Sequence, residues 1–363
     1  MRSLQFFAYY LVLALTFTSG AEAQRYKVKT LPSLPSGNGI VADGINKLGS
    51  ITGFGFIGPH VYAILYRKGR LRNLGTLPGT MDSYGTGINA LGQVTGAALI
   101  NGGPSRAFLY SDGSMSDLGL LPGGTYSVGD AINDSGQITG QADVPGAMFP
   151  MSHAILYSNG VMQDLGTLPG GTQTYGYSIN NFGQITGFGD NGTTDHAFIY
   201  ENGSLKDIGT LPMGTSSQGQ AINDFGQVTG YSFDQTTGQL HAFLYTGGKM
   251  VDLGTLPGGH TSLPRSINIF GHVVGQSDLA DPTLGSHAFL YSNGVMKDLN
   301  NLISHKSGWI LTNASGINDR GQIIGDGFLN GIPGEAFILT PVCGERDEDD
   351  DLGVDGGVSE RCP

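Results

Sequence analysis

Residues 221–230 read AINDFGQVTG, and close relatives of this stretch recur along the whole chain. Its Ile-Asn pair occurs seven times, at spacings of 43, 44, 47, 43, 45 and 50 residues. The pairs are Ile45-Asn46, Ile88-Asn89, Ile132-Asn133, Ile179-Asn180, Ile222-Asn223, Ile267-Asn268 and Ile317-Asn318. A steady period of this size indicates a repeat architecture in which each unit is one supersecondary structure. The chain is therefore predicted to fold as seven similar units.

Two further markers follow the Ile-Asn pairs. One is an apolar run such as RAFLY or HAFLY, and the other is a segment such as MQDLGTLPGG. The apolar run follows all seven pairs, whereas the second segment follows only six of them. Its seventh relative, YKVKTLPSLP, lies at residues 26–35, ahead of the first unit. We therefore predict that the N-terminal segment supplies the strand that the last unit lacks.

Each unit divides into four short strands. In the fourth unit these are GYSIN, QITGFG, HAFIY and SLKDIG, and short Gly-containing turns join the first to the second and the third to the fourth. Four antiparallel strands in about 45 residues is the size of a propeller blade. The sequence therefore predicts an all-β fold, a seven-bladed β-propeller in which the N-terminal strand completes the last blade. A β-solenoid is the alternative, because its coils also give periodic Gly and Asn.

The residue before each Ile-Asn pair is always small. These residues are Gly44, Gly87, Ala131, Ser178, Ala221, Ser266 and Gly316. Small residues are expected on innermost strands that crowd together at the axis of a closed ring. Because they are also uncharged, they predict a central funnel without a cluster of acidic or His residues, which argues against an enzyme.

These markers resemble those of the extracellular HAF repeat family, named after a His-Ala-Phe triplet. The triplet stands here at His196-Ala197-Phe198, His241-Ala242-Phe243 and His287-Ala288-Phe289. The resemblance covers nearly all of residues 26–340. It implies an exported bacterial repeat protein, and it implies no particular activity.

The N-terminus is predicted to be a secretory signal peptide of residues 1–23. Arg2 precedes an apolar run from Phe6 to Phe17, and Ala21-Glu22-Ala23 forms a cleavage site before Gln24. The apolar run is short for a membrane span, and no later stretch approaches one. We therefore expect a secreted protein, extracellular or periplasmic, without a transmembrane anchor. Residues 24–341 would form the propeller and residues 342–363 an acidic C-terminal tail.

The formal net charge of −12 is concentrated in the tail, where residues 345–361 carry eight acidic side chains and two arginines. The body shows no basic stripe, which argues against nucleic acid as a partner. Cys343 and Cys362 flank the tail and could form a disulfide, with free thiols or a link to another chain as alternatives. No cofactor is expected. Calcium bound by the ERDEDDD run is the one candidate, and a solvated acidic segment is the alternative.

Three repeated motifs could bind a ligand, and each has a structural explanation. The HAF histidines would lie roughly 9–10 Å outside the inner strands, too widely spread for a metal, so a blade-to-blade hydrogen bond or packing is predicted. The Asp of NDFGQ is replaced by Lys47, Ala90, Asn181 and Ile269 in other units, which favours a hairpin turn over a cation site. LGTLPGG is predicted to cross between blades and not to cradle phosphate.

The alternation of strands places the monotonous turns on one face of the ring, which we call the constant face. The varied second-to-third loops and the crossings between blades form the opposite, variable face. Function is commonly carried by varied loops on a rigid frame. The candidate ligand-binding residues are therefore Trp309, His305 and Lys306 in the crossing 300–313, with Asp278 and Asp281 in the loop 275–286.

Trp309 could stack on a sugar ring, or it could pack between blades. No catalytic residue and no metal-binding residue is proposed. The favoured hypothesis is an exported non-catalytic protein that binds a glycan, peptide or envelope component on the variable face. A carbohydrate-active lyase or hydrolase on a propeller frame, and a purely structural extracellular protein, are the alternatives.

Overall fold

The computed structural model describes residues 25–100, 103–145, 151–281, 283 and 285–342. The predicted signal peptide, Cys343, Cys362 and all of the tail beyond Val342 lie outside these residues. The described residues build seven four-stranded antiparallel sheets. This confirms the predicted seven-bladed β-propeller and rules out the solenoid.

The blades are numbered I to VII along the chain, and their strands follow from the innermost outward. Blade I contains β2 (Ile40–Ile45), β3 (Ile51–Ile57), β4 (His60–Arg67) and β5 (Arg70–Asn73). Blade II contains β6 (Asp82–Ile88), β7 (Val94–Leu99), β8 (Ser105–Ser111) and β9 (Ser114–Asp117). Blade III contains β10 (Ser127–Ile132), β11 (Ile138–Val144), β12 (Met151–Ser158) and β13 (Val161–Asp164). Blade IV contains β14 (Thr174–Ile179), β15 (Ile185–Asp190), β16 (Asp195–Glu201) and β17 (Ser204–Gly209).

Blade V contains β18 (Ser216–Ile222), β19 (Val228–Asp234), β20 (Gln239–Thr246) and β21 (Lys249–Asp252). Blade VI contains β22 (Ser262–Ile267), β23 (Val273–Asp278), β24 (Ser286–Ser292) and β25 (Val295–Asp298). Two short 3-10 helices, Leu299–Leu302 and His305–Ser307, lead to blade VII. Blade VII contains β26 (Trp309–Ile317), β27 (Ile323–Leu329), β28 (Ile332–Val342) and, as its outer strand, β1 (Arg25–Thr30).

The ring is closed by the N-terminal strand, as predicted. β1 pairs antiparallel with β28, with Arg25 opposite Val342 and Thr30 opposite Phe337. Tyr26 is buried in the same apolar cluster as Phe337. The strand therefore covers the edge that β28 would otherwise expose and joins the two ends of the described chain.

The core lies between neighbouring blades and not within any one of them. The aromatic side chain of the HAF triplet is fully buried at Phe198, where it packs with Ala154 of blade III and Leu168 of the crossing. The equivalent side chains at the other blades, Ile64, Phe108, Ile155, Phe243, Phe289 and Phe337, are also fully buried. The apolar third strand is therefore explained by contact with blades on both of its faces.

A hydrogen-bonded clasp accompanies this packing. The backbone N–H of Ala197 in blade IV donates to Ser217 Oγ of blade V at 2.9 Å, and Ser217 Oγ donates to the carbonyl of Gly209 at 2.6 Å. The same pattern recurs at four other junctions, centred on Ser83, Ser127, Thr174 and Ser262. The Ala of the triplet and the Gly of DLG are thus tied to the next inner strand.

The AINDFGQ stretch forms the turn between the first and second strands. Asn223 Oδ1 accepts from the backbone N–H groups of Phe225 and Gln227, both at 3.0 Å. Asn223 Nδ2 also donates to the carbonyl of Asn268 in the next blade, at 3.0 Å. The predicted turn is right, and the Asn has a second role that connects two blades.

These connections form a closed ring around the axis. In every blade the Asn side-chain amide donates to the backbone carbonyl of the Asn in the following blade, and the last bond runs from Asn318 to Asn46 at 3.0 Å. Each of these asparagines is buried. The Asn of each Ile-Asn pair therefore links its blade to the next one and closes the ring.

Candidate functional site

The central channel is lined by one residue from each inner strand. Every inner strand carries a bulge at the same place, so that the residue before the small one has no register partner on the second strand; β26 has a further bulge at Thr312. These seven residues line a common cavity of about 250 Å³. They are Asp43, Thr86, Asp130, Tyr177, Gln220, Arg265 and Ser315. One backbone position thus presents seven polar side chains of six kinds to the channel.

The crowding that the small residues predict is present at these residues, each of which follows a channel-lining residue by one position. A Cβ added to Gly87 would come within 2.9 Å of the Cα of Ala131 in the next blade. The conclusion that the funnel lacks a charged cluster is wrong, however. The bulge aims the residue before the small one into the channel, which places Asp43, Asp130 and Arg265 there. The bulge itself has no sequence signature beyond the chemical variety at that position.

Asp130 is the most deeply placed carboxyl of the channel. Its Oδ2 is buried and has no hydrogen-bond partner among the described residues. Burial raises the pKa of Asp130 to about 7. Burial also raises the pKa of Asp43 to about 7, and the nearby charge of Asp326 adds to the rise while Arg265 opposes it. The channel therefore holds two carboxyls that change charge near neutral pH.

Other polar groups around the channel are also incompletely paired. Asn313, on the inner strand of blade VII, donates to Asp326 Oδ1 at 2.9 Å, but its own Oδ1 is buried without a partner. Arg265 is exposed, and its guanidinium makes no hydrogen bond to any described residue. Buried polar groups are normally satisfied, so the buried, unpaired oxygens of Asp130 and Asn313 indicate a place for bound water or another polar molecule.

An aromatic cluster of blade IV reaches the channel at Tyr177. Tyr175 and Phe188 of blade IV stack with ring centroids 4.7 Å apart and an interplanar angle of 11°. Tyr177 lies beside them, 5.6 Å from Phe188. Burial, with the charge of Asp130 next in size, raises the pKa of Tyr177 to about 12. Aromatic surface and an acidic group are therefore close together at the same depth.

The constant-face mouth of the channel is a separate cavity of about 190 Å³. Four Ile residues of the Ile-Asn pairs line both cavities and form a wall between them, here called the Ile wall: Ile45, Ile88, Ile132 and Ile179. Lys47 Nζ lies 2.6 Å from Asp134 Oδ2, across the mouth and two blades away. This hydrogen bond, with help from the charges of Asp134, Asp224 and Asp319, raises the pKa of Lys47. An ion pair thus bridges the mouth, and its Lys47 stands at the motif position that holds Asp in other units.

The Asp of that motif has a local function where it is present. Asp134 Oδ1 accepts from the N–H of Ala90, and Asp224 Oδ1 accepts from the N–H of Asn181, each from the preceding blade. In the described residues no group of three or more His, Cys, Asp or Glu side chains is arranged to hold a metal ion. The Asp therefore acts as a link between neighbouring turns.

The HAF histidines pair within their own blade, contrary to the predicted blade-to-blade bond. His196 Nδ1 lies 2.7 Å from Asp207 Oδ2 on the fourth strand, and Asp207 Oδ1 accepts from the N–H of Gly209 at 2.7 Å. The same His–Asp pair occurs at His153, His241 and His287. The Asp of DLG stands opposite the third residue of the triplet, as Asp207 does opposite Phe198, and its side chain reaches the His two residues earlier to hold the outer hairpin.

The residues predicted to bind a ligand on the variable face do not form one site. Trp309 is only 9% exposed and packs edge-on against Phe337, with centroids 5.6 Å apart. Its ring faces are therefore not available for stacking on a sugar, and the packing alternative describes it. Asp278 Oδ1 accepts from the backbone N–H groups of His260 and Thr261, at 2.8 and 2.7 Å.

The other three predicted residues are exposed and lie apart. Asp281 accepts from the N–H and hydroxyl of Thr283 in its own turn. His305 and Lys306 lie in the 3-10 helix His305–Ser307. No hydrogen bond or ion pair among the described residues joins any of them to Asp278 or Trp309. Their role in binding stays a prediction, without support from a shared pocket.

A second site, on the variable face, does break the repeat. A cavity of about 300 Å³ on blade V is lined by residues that include Met213, Asp234 and His241. Met213 has a φ of 70° and stands where four other crossings place a Gly of similar φ. Its side chain is 74% exposed. A long side chain in the left-handed region is costly, so its presence marks this pocket as a secondary candidate.

Comparisons with known proteins identify the architecture only. No protein-family model matches the chain, and no curated protein matches its sequence. A prolyl endopeptidase structure is similar with a TM-score of 0.55 at 11% identity, over 89% of this chain and 51% of that one. A puromycin hydrolase is similar with a TM-score of 0.50 at 10% identity, over 80% and 50% of the two chains.

A third similar structure is TolB from Acinetobacter baumannii, with a TM-score of 0.45 at 12% identity, over 78% of this chain and 60% of that one. The chain thus spans about half to three fifths of the length of these three structures. At such low identity the likeness concerns the propeller fold alone. No helix in the described part of the chain is both long and apolar enough to cross a bilayer.

Proposed function

We propose that this protein is an exported, non-catalytic propeller that binds a hydroxyl-rich ligand, such as the end of a glycan, in its central channel. One observation carries the proposal. Seven equivalent bulge positions present seven polar side chains to a single cavity, and one of them, Asp130, has a buried oxygen without a hydrogen-bond partner among the described residues. A purely structural ring would gain nothing from leaving a carboxyl oxygen buried and unpaired, since this costs about 1–3 kcal/mol.

The chemistry of the ring fits a polyol better than an apolar or a singly charged ligand. Its members include acceptors such as Asp43 and donors such as Arg265, and hydroxyl groups can both donate to the former and accept from the latter. Tyr177 adds an aromatic ring at the same depth. A cavity of about 250 Å³ is at the lower end for ligand sites, so it suits one sugar unit and not a long oligomer.

The remaining parts of the proposal come from the sequence. The signal-peptide pattern of residues 1–23 supports export, and the HAF-type motifs support membership of an exported repeat family. The ligand would enter from the variable face, because on the constant face the Ile wall and the Lys47–Asp134 ion pair lie across the channel. The binding site thus moves from the loops around Trp309 to the axis of the ring.

An enzyme acting on a carbohydrate is the second candidate, and a specific observation favours it. Asp43 and Asp130 both have a pKa raised to about 7, which is the range in which a carboxyl can act as a general acid or base. Binding alone does not require this. The two candidates differ in outcome, because an enzyme would release a product whereas a binding protein would return its ligand unchanged.

The test uses the full mature chain and a glycan array, followed by calorimetric titration of any sugar that binds. Asp130→Asn and Arg265→Gln remove one acceptor charge and one donor from the channel. Lys206→Gln, an exposed lysine on the outer strand of blade IV, is the matched control. We expect at least a tenfold weaker affinity for the two channel variants, because each loses about 1.5–3 kcal/mol of charge-assisted hydrogen bonding. The control is expected to bind as the wild type does.

Two results would contradict the proposal. One is sugar binding that is unchanged in both channel variants when their unfolding midpoints also stay unchanged. The other is the absence of binding to any neutral or charged glycan. Incubation of the bound sugar with wild-type protein, followed by mass spectrometry, separates the two candidates. A cleaved or eliminated product would favour the enzyme and would be abolished by Asp130→Asn.

A further inference from the structure

Basic side chains are concentrated in one sector of an otherwise acidic protein. Residues 25–73 contain eight Lys and Arg and a single acidic residue, Asp43, which lies in the channel. Residues 74–342 contain seven Lys and Arg against twenty acidic residues. The sequence shows no basic stripe, but the fold groups these residues into a basic sector made by blade I and the closing strand β1.

The basic side chains line a groove between blades I and VII. A cavity of about 460 Å³ is lined by Arg67 and Lys68 of blade I together with Lys29 and Thr340 of blade VII. A second hollow of about 450 Å³ shares Arg67 and Lys68 and extends to Arg70 and Arg72. We call this continuous surface the basic groove. None of its five basic side chains forms an ion pair with a described acidic residue.

The positions of these charges are unfavourable without a partner. Arg67 stands directly opposite Arg70 in the β4–β5 pair. Like charges directly opposite on paired strands destabilise a hairpin. The Lys29 ammonium donates only a long hydrogen bond to the Tyr66 hydroxyl, at 3.4 Å. The basic groove therefore favours an occupant that carries several negative charges.

The sequence carries such a segment a few residues after β28. Glu345–Asp351 has the sequence ERDEDDD, with six carboxylates and one arginine. β28 ends at Val342, and Thr340, two residues earlier, already lines the groove. Glu345 follows Val342 by three residues, which reach about 10 Å when extended, and Asp351 follows it by nine residues, about 30 Å. The tether is therefore long enough to lay the acidic run along the basic groove.

We propose that the acidic segment Glu345–Asp351 binds in the basic groove of its own chain. Its carboxylates pair with Arg67, Lys68 and Arg70, and the bidentate geometry of carboxylate on guanidinium favours the two arginines. Because the segment is tethered by a few residues, its effective concentration at the groove is in the millimolar range. Bound there, the segment competes with other polyanions for the groove, and high salt weakens its binding.

The test is a zero-length carbodiimide cross-link on the full mature chain, which joins carboxylates to lysine amines in contact. In the monomer fraction we expect the tail peptide to be joined to Lys68 or Lys29, and this product to be lost in 0.5 M NaCl, where the Debye length is below about 8 Å. Lys206 and Lys249 are exposed lysines on the fourth strands of blades IV and V and serve as internal controls. Equal cross-linking to these controls would overturn the proposal.

A second measurement uses fluorescent poly-L-glutamate as a probe of the groove. Neutralising the tail with Asp347→Asn, Glu348→Gln, Asp349→Asn, Asp350→Asn and Asp351→Asn is expected to tighten its binding at least tenfold. Adding Arg67→Gln and Arg70→Gln to that variant is expected to abolish the gain. Unchanged probe affinity after tail neutralisation, or a tail cross-link found only in a dimer fraction, would show that the segment does not occupy the groove of its own chain.

Discussion

Replacing Asn223 by Ala tests whether the ring of asparagines holds the blades together. The side chain is 6% exposed and makes four hydrogen bonds. Two fix its own turn, from the N–H groups of Phe225 and Gln227, one reaches the Gln227 side chain at 2.7 Å, and one reaches the carbonyl of Asn268 in the next blade. The substitution thus removes both the turn contacts and one link of the ring.

The expected loss follows from these contacts. The two turn bonds and the bond to the next blade contribute about 1 kcal/mol each. The carbonyl of Asn268 keeps one partner, because it also accepts from the N–H of Gly271 at 3.0 Å. The unfolding free energy should therefore fall by about 3 kcal/mol, which corresponds to a midpoint lowered by about 4 °C at an unfolding entropy of about 2.1 cal/mol/K per residue. Scanning calorimetry or equilibrium urea unfolding measures this directly.

A second variant separates the stability contribution of the turn bonds from that of the bond between blades. Asn223→Asp keeps the Oδ1 that fixes the turn but loses the amide that reaches Asn268, and it places a carboxylate beside that carbonyl. We expect it to lose at least about 2 kcal/mol, whereas Asp224→Ala, at the neighbouring half-buried position, should lose about 1 kcal/mol or less. If Asn223→Asp were as stable as the wild type, the inter-blade bond would contribute nothing and the reasoning would be refuted.

Three further predictions concern the channel, the blade V pocket and ring closure. Because the folded pKa of Asp130 is about 7 against an ordinary 3.8, the native state holds the proton more tightly, so the unfolding free energy should fall as pH rises from about 4 to 7 and then level off. Asp130→Asn should remove the part of this decrease in unfolding free energy that the Asp130 carboxyl causes. In urea titrations at pH 8 the variant should therefore be more stable than the wild type; an unchanged pH profile would contradict this. Met213→Gly should raise the unfolding free energy by about 0.5–1 kcal/mol by relieving a φ of 70°, and a lowered calorimetric midpoint would argue against strain there. Tyr26→Ala should cost about 3–5 kcal/mol because this buried side chain anchors the closing strand, and it should speed amide exchange in β28 before the other blades; uniform exchange would show that closure is not the weak point.

The fold could be predicted from the sequence because its signals are repeated. Seven Ile-Asn pairs gave the number of blades, and the displaced segment at residues 26–35 gave the closing strand, since a ring requires both ends to meet. The four strands of the fourth unit also lie where the pattern put them, as β14 to β17. Because the same pattern recurs in every unit, it identifies strands whose individual sequences would be ambiguous between strand and other structure.

The site could not be predicted in the same way. The bulge moves the channel-facing position by one residue, so attention to Gly44 and Ala131 missed Asp43 and Asp130 beside them. A bulge depends on the pairing of two strands and not on a residue type. Trp309 failed as a binding residue for a related reason. Its departure from the repeat reflects packing between blades VI and VII, and a unique aromatic residue in a sequence does not show which of its faces are covered.

The sequence nevertheless held one usable signal for the channel. At the position before the small residue the seven units carry Asp, Thr, Asp, Tyr, Gln, Arg and Ser, while the positions on either side stay small or apolar. Variation confined to one position of an otherwise uniform motif, and to polar residues, is expected of a recognition surface on a fixed frame. The varied loops drew attention because they differ in length, whereas the channel residues differ only in chemistry.

The central claim is that the channel of the ring is the ligand site, and a crystal structure of the mature protein soaked with oligosaccharides tests it most directly. The account predicts a sugar unit in the channel, with hydroxyl groups hydrogen-bonded to Asp130 and Arg265 and a ring face against Tyr177. Sugar bound only on the outer surface, at the blade V pocket or around His305 and Lys306, with ordered water alone in the channel, would contradict it.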